Sequence, residues 1–478
     1  MSHLDFDIVS DLDIRISDLC YINSTNSYVR IYKQIMQNKP NLRNDKMNIT
    51  LDMTSKYTIL SCLAGPKNKA NSKPIKPKTN PIQSQFNPKQ TQLKPIQTQN
   101  KPNLAKGRNM NENSTPRPAS VKLSETMSND LKDKTLNELE QIIAGLGQKK
   151  YLAEYIFQFI HAEDVTDILK ITPLSKAFRE QLIKNDYHIS QLNILNKLTD
   201  KDGTIKYVFG LDDGNRIETV LLLDGKRRTL CVSTQAGCKM GCEFCATGRI
   251  KFRRSLSAGE IVDQIYSVQK DAGKISNIVY MGMGEPLENY DAVVKSVQIL
   301  NNPAGRNIGI RHITVSTCGL APAIKKLAYE EIRPRLAISL NAPTDELRTR
   351  LMPINKKYPI AKLLDVVRIY QLKAKERVTF EYVMIKGIND SLLHAGQLVK
   401  LLRTVKCNVN LIEYNPHGGC KYKGSGMEKI SRFAEVIEEA GIENTIRLKK
   451  GSSICAACGQ LGANLNNVSS TGDSVRHE

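Results

Sequence analysis

Three cysteines close together in one short stretch are the residues of this 478-residue chain best suited to chemistry. They are Cys238, Cys242 and Cys245, at the spacing C-x3-C-x2-C with Phe244 just before the last. A closed structural zinc or iron–sulfur site normally takes four protein ligands. Three thiolates packed this closely can instead hold three corners of a 4Fe–4S cluster and leave the fourth iron open to a small molecule. The spacing alone also allows a zinc knuckle that borrows a distant fourth ligand.

Two further groups of residues could take part in chemistry. The stretch Tyr280-Met-Gly-Met-Gly-Glu-Pro-Leu follows a predicted strand. Its glycines let the backbone approach a ligand closely, and its carboxylate can accept hydrogen bonds from an ammonium group. Outside the cysteine trio, Cys231 stands seven residues before Cys238, and Cys455 and Cys458 form a Cys-x-x-Cys pair. Such a pair can oxidise or bind metal.

Alternating strands and helices surround these residues from position 229 onward. The predicted helices include 258–269 and 361–372, and the predicted strands are 230–234, 277–281, 312–317, 335–340, 378–384, 408–414 and 445–448. This alternation indicates βαβ units with parallel strands, which can close into a full or partial barrel. A barrel of this kind places its function on the loops at the C-terminal ends of the strands. The trio follows the first strand, so it lies where chemistry is expected.

A small helical module is predicted upstream of the barrel. Apolar residues recur at helical spacing over 136–147 and 150–161, and two strand-like runs, 204–210 and 216–223, flank an Asp-Asp-Gly-Asn turn. Between positions 66 and 122 the sequence is rich in Lys, Pro, Gln, Asn and Thr, and Glu112 is its only acidic residue. This composition predicts a disordered basic tether that touches RNA through counterion release, or else a plain solvated linker.

Composition restricts the compartment and the partners. The chain has 69 Lys and Arg against 48 Asp and Glu, a formal charge of +21, which favours a polyanion such as nucleic acid but also fits a membrane surface. No apolar run approaches the roughly 20 residues that span a bilayer. The 11 cysteines are clustered, unlike a secreted disulfide framework, and the acidic N-terminus is unlike a signal or transit peptide. We therefore expect a cytoplasmic protein without a membrane segment.

Five separated motifs in order resemble the RlmN/Cfr group of radical-SAM RNA methyltransferases, and RlmN most closely, over about residues 130–462. The motifs are Cys231-Val-Ser-Thr-Gln-Ala-Gly-Cys, Met281-Gly-Met-Gly-Glu-Pro-Leu, Ile338-Ser-Leu-Asn-Ala-Pro-Thr-Asp-Glu-Leu-Arg, Met352-Pro-Ile-Asn-Lys-Lys-Tyr-Pro and Ser453-Ile-Cys-Ala-Ala-Cys-Gly-Gln-Leu. The resemblance implies an α/β fold: a partial (β/α) radical-SAM barrel with a small helical N-terminal accessory domain and a disordered basic N-terminal extension.

The expected regions follow from the fold and the resemblance together. They are an unassigned segment 1–63, a disordered basic linker 64–127, an accessory RNA-binding domain 128–224, a radical-SAM catalytic domain 225–462 and a flexible tail 463–478.

The resemblance also implies the activity. It predicts an enzyme that forms 2-methyladenosine in 23S-type large-subunit rRNA and in tRNA, at the adenosine 3′ of the anticodon. The implied cofactors are a 4Fe–4S cluster and two molecules of S-adenosyl-L-methionine (SAM) per turnover, with electrons from a reductase such as flavodoxin or ferredoxin and a monomeric enzyme. Two alternatives stay open: a Cfr-type enzyme that methylates C8 and confers antibiotic resistance, and a non-catalytic zinc-bearing RNA-binding protein.

Residue roles come from the same resemblance. The C2–H bond of adenine is neither acidic nor nucleophilic, so ordinary methyl transfer from SAM fails there. The three cysteines of the trio bind the cluster. Cys458 accepts a methyl group from a first SAM. A radical formed from a second SAM then takes a hydrogen atom from this S-methyl group. The resulting carbon radical adds to the adenine. Cys231 then attacks the methylated sulfur, forming a disulfide and releasing product, and Glu218 takes the C2 proton. The implied SAM contacts are Gly284, Glu285, Ser316, Ser339, Leu340, Asn341 and Asn415.

The chain departs from the family pattern three residues before the methylated cysteine. The family usually has an acidic residue there, whereas this chain has Cys455. A second thiol at this distance could form a disulfide with Cys458 and compete with its methylation.

Overall fold

The computed structural model describes residues 128–418 and 420–463. The predicted segment 1–63, the linker 64–127 and the tail beyond 463 lie outside the described residues. Within the part that the model describes, no helix is long and apolar enough to cross a membrane.

The strands form one long sheet and one short one. Their bounds are β1 Asn193–Thr199, β2 Ile205–Gly210, β3 Arg216–Asp224, β4 Arg227–Cys231, β5 Gln235–Ala236, β6 Arg254–Ser255, β7 Asn277–Tyr280, β8 Ile313–Thr317, β9 Arg335–Ser339, β10 Val378–Met384, β11 Cys407–Glu413 and β12 Glu443–Arg447. The long sheet has 10 strands in the order β1-β2-β3-β4-β7-β8-β9-β10-β11-β12, and β5 pairs with β6.

Helices connect the strands and cover the sheet. Their bounds are α1 Leu136–Gly145, α2 Leu152–His161, α3 Lys176–Lys184, α4 Ala258–Ala272, α5 Tyr290–Asn301, α6 Ala321–Leu327, α7 Asp345–Leu351, α8 Ile360–Ala374, α9 Leu392–Leu402 and α10 Met427–Glu439. Capping boxes begin two of them, because Thr135 and Glu138 bond reciprocally at α1, and Ser257 and Glu260 do so at α4.

The prediction of parallel βαβ units is confirmed. Strands β4 and β7 to β12 pair in parallel, and a helix lies in every crossover between them. Most residues of β10 are buried, as expected for a strand covered on both faces. The first predicted strand, 230–234, ends earlier at Cys231. Beyond it the backbone leaves the ladder, and Thr234 N–H bonds to the carbonyl of Met283 at 2.8 Å.

The two strands predicted upstream extend the same sheet. β2 pairs antiparallel with β3, and β3 pairs antiparallel with β4. The expected boundary between residues 224 and 225 therefore falls in a turn between paired strands. Strand β1 was not predicted, since nearly all of its residues are exposed and it lacks the alternation that marks a half-buried strand.

The helical module is joined to the barrel by a buried ion pair. Lys132 Nζ lies 2.6 Å from Asp263 Oδ1 on α4, and both side chains are buried. Leaving one member of such a pair without its partner costs about 3–5 kcal/mol. Helices α1 to α3 are therefore held on the sheet by more than apolar contact.

The stretch 448–463, here called the C-terminal segment, bridges the two ends of the open sheet. It leaves β12 and reaches the strands at the other end, where Gly451 N–H donates to Asp202 at 2.8 Å and Gly462 N–H donates to Glu218 at 2.7 Å. Gly451 has φ +69°, and a Cβ there would lie 2.8 Å from Thr204 Cγ2. Only glycine therefore allows this close crossing.

Candidate active site

The loop with the cysteine trio lies on an apolar layer at the C-terminal ends of the strands. Phe244 is buried in this layer with Leu351 and Met352. The backbone is tied down as well, since Glu243 N–H donates to the carbonyl of Leu351 at 3.0 Å. Cys238, Cys242 and Cys245 are free thiols and only partly buried, so the packing presents them without covering them.

The three thiols influence one another. Burial raises the pKa of Cys242 well above its usual value, and Cys245 and Cys238 add to that rise. Backbone N–H groups of Gly248 and Thr247 oppose the rise at Cys245. These mutual effects indicate that the thiols face one shared space.

The donor set fits an iron–sulfur cluster. The trio supplies three thiolates, one for each of three irons of a 4Fe–4S cluster, whereas a closed zinc site takes four ligands. Three thiolates around one space therefore favour the cluster.

The glycine-rich loop after β7 packs directly on the segment that leads to the trio. Gly284 has φ +97°, and a Cβ there would lie 2.5 Å from Gln235 Cβ, so only glycine fits. Glu285 is buried, and its carboxylate accepts N–H bonds from Cys318 at 2.8 Å and Leu287 at 3.1 Å. Burial raises the pKa of Glu285, and the Cys318 N–H opposes this. Hydrogen bonds from the Thr317 and Cys318 side chains oppose the rise as well.

A buried guanidinium holds the ends of β8 and β9 together. Arg348 is fully buried and donates to the carbonyl oxygens of Cys318 at 2.6 Å, Ser339 at 3.2 Å and Leu340 at 3.2 Å. These strand ends carry three of the predicted SAM contacts, Ser316, Ser339 and Leu340. Arg348 ends the Ile338–Arg348 motif, but a motif does not show which carbonyl groups an arginine binds.

The hydrogen bonds of Asn341 are mainly with neighbouring residues of the protein. Its backbone is left-handed, with φ +59°, and its side-chain oxygen accepts the Val383 N–H at 2.9 Å. The Asn389 side chain donates to its carbonyl at 2.8 Å. These bonds shape the loop after β9, and the predicted SAM contact of Asn341 stays a prediction.

Cys231 and Cys458 open onto one cavity of about 590 Å³ inside the barrel. Asn415 lines the same cavity, and its Nδ2 donates to the carbonyl of Cys458 at 3.3 Å. Cys231 is half-buried at the end of β4, whereas Cys458 is exposed. Among the described residues that line this cavity, Cys455 is absent. The structure therefore brings together the two cysteines that the resemblance assigns, and the third thiol lies elsewhere.

Arg447 is a charged residue of this cavity that the sequence reading did not assign. Burial raises the pKa of the Cys231 thiol to about 12, Cys458 adds to the rise, and Arg447 opposes it. Cys458 in turn raises the pKa of Arg447, and Glu381 and Cys231 do so to a smaller degree. The guanidinium lies 4.0 Å from Glu381 Oε2. Its positive charge favours the thiolate form of Cys231.

Glu218 lies under the C-terminal segment. It is 2% exposed, and it shares a face of β3 with Val220, which lines the cavity. Gly462 N–H bonds to its Oε2 at 2.7 Å. This bond ties the C-terminal segment to β3 beside the cavity.

Comparison with known proteins gives the family. Residues 232–398 match the model of the radical SAM superfamily, and residues 129–187 match the ribosomal RNA large subunit methyltransferase N-terminal domain. A probable dual-specificity RNA methyltransferase RlmN from Thermoanaerobacter sp. is 47% identical over 333 residues, which cover 70% of this chain and 97% of that protein. The chain belongs to the RlmN family.

Two further relatives agree with this. The dual-specificity RNA methyltransferase RlmN of Syntrophobacter fumaroxidans is 44% identical over 336 residues, covering 70% of this chain and 98% of its own. The crystal structure of a radical SAM methyltransferase from Sphaerobacter thermophilus superposes with a TM-score of 0.66 at 43% identity, covering 70% of this chain and 99% of the other. The predicted radical-SAM fold and the predicted cluster and SAM are thereby confirmed.

Arg447 gives a prediction that can be tested on the thiols alone. With a pKa of about 12, Cys231 in this RlmN-family chain should be alkylated about tenfold faster per pH unit between pH 7 and 9, as its thiolate fraction grows. Arg447→Met removes the positive charge, raises the thiol pKa further, and should slow the reaction about three- to tenfold at each pH. Peptide mass spectrometry after timed iodoacetamide treatment measures this.

Cys407 provides the matched control. Burial alone raises its pKa, to about 11, so Arg447→Met should leave its rate unchanged. Equal rates at Cys231 in both proteins would contradict the assigned effect of Arg447.

Proposed function

We propose that this chain methylates C2 of adenosine in large-subunit rRNA and in tRNA, at the adenosine 3′ of the anticodon, through a methyl group carried on Cys458. The observation that carries the proposal is the shared cavity of Cys231 and Cys458. Gly459, next to Cys458, accepts the N–H of Ala246 at 2.7 Å, and Ala246 directly follows the trio. A simple methyl transfer would need one nucleophile. Two thiols facing one cavity suit a mechanism in which one thiol carries the methyl carbon and the other later releases the product from it.

The cofactors have a defined place in this proposal. The trio would hold the cluster, and the loop of Gly284 and Glu285 with the ends of β8 and β9 would hold SAM. When bound, the cluster and SAM supply the methyl group and the one-electron chemistry that an unreactive C–H bond requires. The protein supplies positions, charges and exclusion of water.

The protein residues divide the remaining work. Cys458, exposed on the C-terminal segment, takes the methyl group and carries its carbon to the adenine, and Asn415 holds its backbone. Cys231, as its thiolate, attacks the sulfur of Cys458 and a disulfide forms. The carbon–sulfur bond breaks with its electron pair going to the carbon, which takes up a proton and becomes the methyl group of the product. Arg447 favours the thiolate form that this attack needs. Glu218 accepts the C2 proton.

The RNA side of the proposal rests on charge and on accessible bases. Both proposed target adenosines are single-stranded or loop bases, which a protein can turn out of a stack and read. The formal charge of +21 favours contact with phosphates, and we assign RNA gripping to the accessory region 128–224. We also propose a cytoplasmic monomer that receives electrons from a flavodoxin or ferredoxin.

One experiment tests the proposed product. The anaerobically reconstituted protein is incubated with SAM, a reductant and unmodified rRNA or tRNA, and the nucleosides are then identified by mass spectrometry against synthetic standards. We expect 2-methyladenosine in both RNAs and none without SAM. 8-Methyladenosine would instead establish the Cfr-type activity, and the absence of any methyladenosine would refute the proposal.

A further inference from the structure

We propose that Lys206 is a positioning residue that fixes the proton acceptor Glu218 relative to the segment carrying Cys458. The inference rests on the proposed function, because it takes Glu218 as the group that receives the C2 proton. Lys206 lies on β2 and belongs to no motif of the sequence analysis.

One ammonium group contacts both partners. Lys206 Nζ lies 3.0 Å from Glu218 Oε1, and it also donates to the carbonyl of Cys455 at 3.4 Å. An ammonium carries three donors, so both bonds can exist at once. Cys455 stands three residues before Cys458, so the same group touches the proton acceptor and the backbone of the methyl carrier.

Burial makes this contact necessary. The side chains of Lys206 and Glu218 are both 2% exposed. A carboxylate removed from water is costly in its charged form unless a positive charge or hydrogen-bond donors compensate it. In the strand pairing, Lys206 stands opposite Val220, two residues from Glu218, so the sheet itself fixes the distance between the ammonium and the carboxylate.

The other oxygen of Glu218 is held from the opposite side. Its Oε2 accepts the Gly462 N–H at 2.7 Å. Gly462 has φ +89°, a backbone conformation that favours glycine. We expect an incoming adenine to displace this contact, because it comes from the C-terminal segment and not from the sheet. The Lys206 contact belongs to the sheet and stays.

A role in positioning has a distinct kinetic result. Without Lys206, Glu218 has no fixed orientation once the segment shifts, so proton removal becomes slow and limits turnover. Methylation of Cys458 does not use Glu218 and should proceed. RNA binding should also be kept, because Lys206 is buried and cannot reach a phosphate.

The test uses the full-length, reconstituted enzyme and four variants: Lys206→Met, Lys206→Arg, Glu218→Gln and the double variant Lys206→Met/Glu218→Gln. For Lys206→Met we expect a fall in kcat of about 100-fold, no more than about a threefold change in KM for RNA, and unchanged methylation of Cys458 by mass spectrometry. RNA deuterated at adenine C2 should react more slowly with this variant, with a larger isotope effect than for the unmodified enzyme. Lys206→Arg, which keeps the charge, should recover most of kcat.

The double variant separates this role from a folding defect. In the Glu218→Gln background, Lys206→Met should change kcat by less than about threefold, since two residues that act together do not add their effects. Iron content shows which variants are folded. An unchanged kcat or isotope effect for folded Lys206→Met, or additive losses in the double variant, would overturn the inference. If the unmodified enzyme forms no 2-methyladenosine, the proposed function itself fails; if it does, these outcomes concern Lys206 alone.

Discussion

Replacing Cys238, Cys242 or Cys245 with alanine should each abolish turnover and remove most of the bound iron. Two thiolates hold a 4Fe–4S cluster poorly, and SAM needs the iron that the three cysteines leave open. The loss should fall below detection, because an incomplete cluster leaves SAM without the open iron. Iron and sulfide analysis, the brown colour and nucleoside assays on anaerobically reconstituted variants measure it.

Cys407→Ala is the control for loss of a cysteine as such. This thiol lies on β11 and takes no part in the trio, so the variant should keep both iron and activity. Full iron content and activity in all three trio variants would refute the radical-SAM chemistry for this chain.

Cys458→Ala and Cys231→Ala should both be inactive but should fail at different steps. Cys458→Ala cannot accept the methyl group and should yield neither methylated protein nor product. Cys231→Ala can still be methylated and can still join its carbon to RNA, but it lacks the thiol that breaks the link. It should therefore accumulate enzyme covalently bound to RNA, seen as a retarded band of labelled RNA on a denaturing gel under anaerobic conditions.

Cys455→Ala is the matched comparison in the same segment. Cys455 is not among the described residues that line the shared cavity, so this variant should keep its activity and give no retarded band. A retarded band with Cys458→Ala, or with Cys455→Ala but not with Cys231→Ala, would show that the two cysteine roles are wrongly assigned.

The barrel was predictable because its signals are local. Parallel strands buried on both faces form short apolar runs, and the helices between them carry caps and apolar faces that can be read over a few residues. β1 lacks such a signal, and its place at the edge of the sheet depends on pairing with β2. That strands β1, β2 and β3 continue the sheet of the barrel could not be derived, because the sequence of one strand does not show which strand it pairs with.

The site was predictable where spacing or resemblance carried it. The trio is visible from its spacing, whereas the roles of Cys231 and Cys458, more than 200 positions apart, came from the resemblance alone. Arg348, Arg447 and Lys206 were missed for a physical reason. Each is a charged residue whose partners are distant or are backbone carbonyl groups; Lys206 and Cys455, for example, are separated by 249 positions. For Lys206, the available sign was its position as a lysine inside an otherwise apolar strand.

Strand pairing between β3 and β4 also has a consequence for how this chain can diverge. Val220 lies directly opposite Cys231, and Glu218 is two residues further along the same face of β3. Because side chains alternate, inserting or deleting one residue between 218 and 220 would turn the carboxylate to the other face while the thiol stayed in place. Length changes should therefore accumulate outside β3, for example in the turn at 211–215, and β3 itself should not tolerate insertions.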